Sequence, residues 1–136
     1  MTTVADLVTR YIAEHPVGNM LDAIDLTAIA LRAVRFYQGF AVLAEHKAIP
    51  IDDPAPVPPV PYPEITELTD INNSEWAIIS PLFCLYVEQG NAYMLEASRG
   101  MGVDVFGRSV SEIQSDITQY HDSMPLKAFE RDIVSI

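Results

Sequence analysis

Apolar residues recur at helical spacing along most of the chain, and the interruptions divide it into four predicted helices. The first helix runs from Val4 to about Glu14. Thr2 or Thr3 is suited to cap its start, and Pro16 disfavours helical backbone in the residue before it. A short amphipathic helix therefore opens the chain.

The second predicted helix extends from Met20 to about Lys47. Asn19 is the expected N-cap, and Asp22 suits the positive end of the helix dipole. Residues 28–31 read Ala-Ile-Ala-Leu, so this helix is apolar on every side there and must be covered on every side. Either the rest of the chain wraps it or a neighbouring molecule covers it.

A proline-rich segment follows, with seven prolines among the fourteen residues 50–63. This composition excludes a helix and favours polyproline II, in which the segment would span roughly 43 Å. It either runs back along the second helix and delivers the third helix parallel to it, or projects as a stiff arm. Its flanks are acidic and lack a basic anchor, which favours a spacer over a ligand for an aromatic groove.

The third predicted helix begins at Asn72 or Asn73, where Glu75 completes a capping box with Asn72. Pro81 is expected to kink it or limit its first turn, and Gly90 to weaken it midway. Glycines 100 and 102 are expected to end it. Its apolar stripe is Trp76, Ile79, Phe83, Tyr86 or Val87, Met94 and Ala97.

The fourth predicted helix starts at a Ser109–Glu112 capping box, after a short extended link at 103–106, and stops at Pro125. Its 3-4-3-4 repeat is the most regular in the chain. The tail 126–136 is read as a short strand or an arm that reaches a partner. The repeat consists of Val110, Ile113, Ile117, Tyr120 and Met124.

Together these elements predict an all-α fold, a small bundle of about four helices. At 136 residues the chain fits one domain, 1–136, which contains the proline-rich linker or arm 50–63 and the C-terminal tail 126–136.

The charge balance is strongly acidic, with eight Lys and Arg against nineteen Asp and Glu and a formal net charge of −11. Such a surface repels phosphate backbones and disfavours sequence-independent binding of nucleic acid. No apolar stretch is long enough to span a bilayer, and the first residues have no basic segment of a signal peptide. We expect a soluble protein made in the cytoplasm.

Candidate catalytic or metal-binding chemistry is sparse. The single cysteine, Cys84, lies in an apolar run and is expected to be a small buried side chain. Glu88 and Glu96 are the carboxylates of the third helix most suited to face something other than water. Nucleotide, metalloprotease and hydrolase motifs are absent, so we expect no enzyme, cofactor or metal. The histidines 15, 46 and 121 are expected at or near helix ends, where a cation is favourable.

What the sequence does offer is surface for assembly. The aromatic residues of the third helix are typical of a core, but aromatic and arginine side chains are also enriched in protein interfaces. The candidate subunit interface consists of Ile29, Arg32, Phe36, Trp76, Arg99 and Arg108.

The C-terminal half resembles a known family. The runs 74–82 (SEWAIISPL), 86–88 (YVE), 91–99 (NAYMLEASR) and 102–112 (GVDVFGRSVSE) are similar to small helical head-to-tail connector, or adaptor, proteins of tailed bacteriophages. The likeness covers roughly residues 65–136.

The resemblance implies a virion structural protein located in the neck and made in the host cytoplasm. It implies a ring of about twelve copies stacked on the portal protein, with downstream neck and tail proteins below and DNA passing through without specific binding. Family members commonly dock on the portal through an extended terminal arm. Here the candidate portal contact is Asp132, Ile133, Val134, Ser135 and Ile136.

The alternative is a small acidic regulatory module that binds a basic partner protein. A carboxylate enzyme is the third and weakest reading. A connector would be found in purified particles at fixed stoichiometry with the portal, whereas a regulatory module would be absent from them.

Overall fold

A computed structural model describes residues 2–15, 21–47, 63–99 and 109–128, and within these ranges the chain is an all-α bundle without a named strand. The predicted fold class is confirmed. Of the predicted proline-rich segment and tail, only Pro63 and residues 126–128 lie within the described ranges. The helices are α1 (Val4–Glu14), α2 (Ala23–Gln38), the one-turn α3 (Ala44–Lys47), α4 (Asn73–Arg99) and α5 (Val110–Lys127).

Helix α1 has the predicted bounds because its start is fixed locally. The Thr3 hydroxyl accepts a hydrogen bond from the Asp6 N–H, and the Asp6 carboxylate accepts one from the Thr3 N–H. These bonds lower the pKa of Asp6. The same end of α1 is held by the segment 65–71, whose backbone carbonyls at Thr69 and Glu67 accept the N–H groups of Val4 and Ala5.

Helix α2 is shorter than predicted, at both ends. Its N-cap is Asp22, whose carboxylate accepts the Asp25 N–H at 2.8 Å; the predicted cap Asn19 lies outside the described residues. The helix ends at Gln38 and does not continue to Lys47. Gly39 follows, a poor helix former, and the Phe40 N–H turns back to the Tyr37 carbonyl at 3.0 Å.

Helix α4, the third predicted helix, lies between α2 and α5 and packs against both. Its N-terminal turn contacts the residues that follow α2, since the Ala44 N–H donates to Glu75. At its other half, a methyl group on Gly90 would lie 3.0 Å from Leu21 Cδ1, just before α2. The two helices are therefore antiparallel, and the parallel arrangement considered from the sequence is wrong.

Two proline expectations also change. Helix α4 continues through Pro81 and Gly90 to Arg99, so Pro81 does not confine its first turn. Helix α5 starts at Ser109 as predicted but continues through Pro125 to Lys127. A proline forfeits one N–H bond, and the next turn still closes here, because the Ala128 N–H donates to the Met124 carbonyl at 2.8 Å.

The core fills the space between these helices. Each long helix contributes side chains at spacings of three and four residues, as amphipathic packing requires. The largest fully buried side chains are Tyr37, Phe83, Leu26, Leu43, Ile79, Leu82, Ile113, Ile117, Met124, Val4, Val34 and Val87.

Candidate functional site

A row of partly exposed side chains runs along α2 beside its buried face. Ile29, Arg32 and Phe36 recur at spacings of three and four residues on one side of α2, and Phe40 follows four residues later, in the turn after the helix. The rings of Phe36 and Phe40 meet edge-on, with centroids 5.3 Å apart. We call this row, together with the Tyr86 and His121 side chains that contact it, the seam.

Tyr86 supplies the α4 part of the seam. The Arg32 guanidinium lies 3.7 Å from the centroid of the Tyr86 ring, a cation–π contact between α2 and α4. Burial raises the pKa of Tyr86, and Arg32 opposes this by hydrogen bonding and charge. The phenol is therefore a neutral hydroxyl, able both to donate and to accept a hydrogen bond.

His121 supplies the α5 part and contacts both other helices. Its Nε2 atom lies 2.6 Å from the Tyr86 hydroxyl oxygen, and its ring stacks on Phe36 with centroids 4.1 Å apart and planes at 23°. Burial, followed by the charge of Arg32, lowers the pKa of His121, and Asp122 opposes this shift. Because α5 continues through Pro125 to Lys127, His121 lies six residues before the helix end, and its ring packs against side chains of α2 and α4.

The predicted interface residues divide into three groups. Ile29, Arg32 and Phe36 come together in the seam. Trp76 lies elsewhere, half-buried against Phe83 with ring centroids 5.6 Å apart. The Arg99 side chain, Arg108 and all five residues of the candidate portal contact, 132–136, lie outside the described part of the chain.

Cys84 was predicted to be buried in the core, and this prediction is wrong. It is exposed, because it projects from the side of α4 opposite the buried positions 79, 82, 83, 86 and 87. Partial burial by its neighbours, and then the charge of Glu88, raise the pKa of the thiol. The thiol therefore gives little of the reactive thiolate near neutral pH.

The two glutamates singled out on α4 differ in position. Glu96 is exposed, and its carboxylate lies 3.5 Å from the Val110 N–H at the start of α5. Glu88 is partly buried. Glu96 therefore contacts the start of α5, whereas Glu88 lies eight residues earlier on the same helix.

A pocket of about 220 Å³ lies at the start of α4. The buried carboxylate of Glu75 in its wall has a structural role, only part of which could be predicted from the sequence. Glu75 is 2 % exposed; its Oε1 accepts the Asn72 N–H and its Oε2 accepts the Ala44 N–H, both at 3.1 Å. The capping box was visible in the sequence, but the bond to Ala44 joins residues 31 positions apart. The lining is Thr2, Ala44, Glu45, Asp70, Ile71, Asn72, Asn73 and Glu75.

This pocket offers a ligand little. The Glu45 carboxylate accepts the Asp70 N–H at 3.2 Å, so two of its carboxylates already bind backbone donors. Across the described ranges, no three His, Cys, Asp or Glu side chains are grouped so that they could hold a metal ion. The polar groups of this pocket and those of the seam both serve to join segments of the bundle.

Several large apolar side chains are exposed. Ile24 on α2 is 79 % exposed, Leu68 in the loop before α4 is 72 % exposed, and Leu126 near the end of α5 is 83 % exposed. Tyr93 and Met94 are exposed side by side on α4. No helix within the described residues has the length and apolarity needed to cross a membrane.

The chain was compared with protein-family models, curated proteins and solved structures, and none of them matches it.

Proposed function

We propose that the chain is a structural virion subunit: a head-to-tail connector that assembles with copies of itself into a ring between the portal and the tail of a bacteriophage. The proposal is non-enzymatic and includes no cofactor. It combines the sequence resemblance of residues 65–136 with the distribution of apolar surface on the bundle. DNA is proposed to pass through the ring of this neck protein.

The observation that carries the assembly part is the seam, whose α2 side chains are only partly buried in the single chain. Phe40 is 45 % exposed at one end of the row, although it continues the stripe formed by Ile29, Arg32 and Phe36. Aromatic and arginine side chains in one partly buried row are typical of residues that dominate binding energy at protein interfaces. Lateral contacts between subunits along this row are the arrangement we propose.

The charge supports the proposed passage of DNA. The chain has a formal net charge of −11, and an acidic wall does not retain a polyanion. A DNA-binding protein would instead need clustered lysine and arginine side chains to release counterions from phosphates.

The proposed portal contact is the C-terminal end of the chain. Helix α5 ends at Lys127, and the five residues 132–136 carry the apolar side chains Ile133, Val134 and Ile136. We propose that these insert into the portal as an extended arm.

The first experiment is mass spectrometry of purified particles, followed by imaging of the neck. A connector is expected at a fixed ratio to the portal. If the chain is absent from particles and instead binds a basic partner one-to-one, the connector proposal is wrong and the protein is an acidic regulatory module.

A second experiment tests the portal contact at residue level. Deletion of Asp132–Ile136 is expected to preserve helix content by circular dichroism and to abolish co-purification with the portal. Asp132→Asn is the matched control, because it keeps the apolar end and is expected to retain the portal. Normal co-purification of the deletion variant would show that the tail is not the anchor.

The seam is tested by Phe40→Ser, which removes an exposed aromatic ring at the end of the row. Ring assembly on the portal, counted by native mass spectrometry, is expected to fall while the monomer stays folded. Leu68→Ser is the control, because Leu68 is more exposed and lies in the loop before α4, outside the seam. An equal loss of ring assembly in both variants would show that the seam is not the interface between subunits.

A further inference from the structure

We propose that His121 is a pH-sensitive latch that holds α5 against α2 and α4 when its ring is neutral and loosens α5 when the ring is protonated. This inference is independent of the proposed ring and portal. It concerns an equilibrium within one chain.

The geometry makes His121 a junction of three helices. One face of its ring is stacked on Phe36 of α2, and its Nε2 atom is hydrogen bonded to Tyr86 of α4 at 2.6 Å. Both partners come from other helices, so His121 joins this part of α5 to α2 and α4, beside the buried side chains of Ile117 and Met124. The neighbouring Tyr120 adds a bond from its hydroxyl to the Ile78 carbonyl, but that bond does not change with pH in the neutral range.

The charged groups around the ring favour its neutral form. Arg32, from α2, is the cation in the seam and lies over the same Tyr86 ring to which His121 is bonded. Tyr86, from α4, is a neutral hydroxyl, and Asp122, on α5 itself, is the opposing anion. Protonation would place a second cation beside Arg32 in a partly buried seam, where repulsion is screened less than in water.

Protonation also restricts the hydrogen bond. A neutral imidazole accepts at one ring nitrogen and donates at the other, whereas an imidazolium donates at both. A Tyr86 hydroxyl that donates to Nε2 would have to turn and accept, on the oxygen that Arg32 also approaches. The seam would then hold two cationic donors against one hydroxyl oxygen.

The direction of the pH effect follows from the lowered pKa of His121 in the folded chain. The unfolded chain then takes up the proton first, at about pH 6.5. The contribution of His121 to stability is therefore complete above about pH 6.5 and is lost as the pH falls through that value towards the folded pKa. One proton changes the ratio of folded to unfolded protein by at most about tenfold per pH unit.

The experiment measures urea unfolding of the full chain between about pH 7.5 and about pH 5.5, a window above the ordinary pKa values of carboxylates. The urea concentration at the wild-type unfolding midpoint is expected to decrease as the pH is lowered across this window. His121→Phe keeps an aromatic ring for stacking and is expected to show a flatter dependence. His15→Phe is the matched control, because the exposed His15 ring also stacks on an aromatic side chain, Tyr11, and this variant is expected to keep the wild-type slope.

A second measurement keeps the proposal testable if His121→Phe fails to fold. Amide hydrogen exchange of the wild-type chain, corrected for intrinsic rates, is expected to show faster opening of α5 at the lower pH, with α1 unchanged. NMR titration of the His121 ring is expected to give a pKa below about 6.5. A ring that titrates at or above that value, or α5 protection that does not change with pH, would overturn the latch.

Discussion

Two of the polar junctions that join helix α4 to the rest of the chain use different kinds of partner. At its start, Glu75 is almost fully buried and binds two backbone N–H groups, those of Asn72 and Ala44. Midway along it, Tyr86 binds the side chains of His121 and Arg32. Backbone donors cannot change charge or rotamer, whereas an imidazole can gain a proton and a guanidinium can swing away. The first junction is therefore a fixed joint and the second an adjustable one.

The largest expected effect tests the fixed joint. Glu75→Ala leaves the partly buried N–H groups of Asn72 and Ala44 without their acceptor and removes half of a capping box. The two lost hydrogen bonds and the lost cap are together expected to lower the free energy of unfolding by about 2–4 kcal/mol, measured in urea. Glu67→Ala, at an exposed carboxylate in the same loop region, is the control and should stay within about 0.5 kcal/mol of wild type. Equal stability of both variants would show that the joint is not structural.

The next prediction concerns the hydroxyl of the adjustable joint. Tyr86→Phe removes the hydrogen bond to His121 but keeps the ring under Arg32. The expected cost is about 0.5–1.5 kcal/mol above pH 6.5, decreasing at lower pH because protonation of His121 weakens the same bond in the wild type. Unfolding at several pH values measures it, with Tyr93→Phe, at an exposed tyrosine of the same helix, as the control. A cost that does not change with pH would show that the contribution of the Tyr86 hydroxyl to stability does not depend on His121.

The smallest effect on stability is expected at Arg32. Arg32→Gln removes an exposed cation–π contact and is expected to cost about 0.5–1 kcal/mol. It also removes a charge that lowers the pKa of His121, so the His121 ring should titrate at a higher pH than in wild type, as followed by NMR. Arg10→Gln on α1 is the control for loss of one positive charge. If the two variants shift His121 equally, Arg32 acts only through the net charge of the molecule.

The helix starts show what could be predicted from neighbouring residues alone. Thr3, Asn72 and Ser109 each bind a backbone N–H three residues on, so the signal lies within one turn of sequence. The helix ends were less predictable. Gly39 and Pro125 are both unfavourable in helices, yet α2 ends at the first and α5 continues through the second. The difference depends on which carbonyl groups find a partner in the folded chain.

Cys84 and His121 show why the candidate sites were harder to predict. The apolar run around Cys84 indicated burial, but one position beyond Phe83 a helix has turned by about 100°, which carries Cys84 off the buried face. His121 was expected at a helix end, and its partners Tyr86, Phe36 and Arg32 come from other helices, with Tyr86 35 residues away. No local pattern encodes such a meeting.

The sequence by itself determined the all-α class, the capping residue of α5, the neighbouring pairs that contain the caps of α1 and α4, and the core stripes of α5 and of the first half of α4, because these depend on hydrogen bonds within a turn and on the 3.6-residue period. Met94 and Ala97, at the end of the predicted α4 stripe, are exposed. Only the tertiary structure decided that α4 runs antiparallel to α2, that Glu75 reaches Ala44, and that His121 lies between Phe36 and Tyr86. Those features depend on how helices pack across large separations in sequence, which side-chain periodicity does not specify.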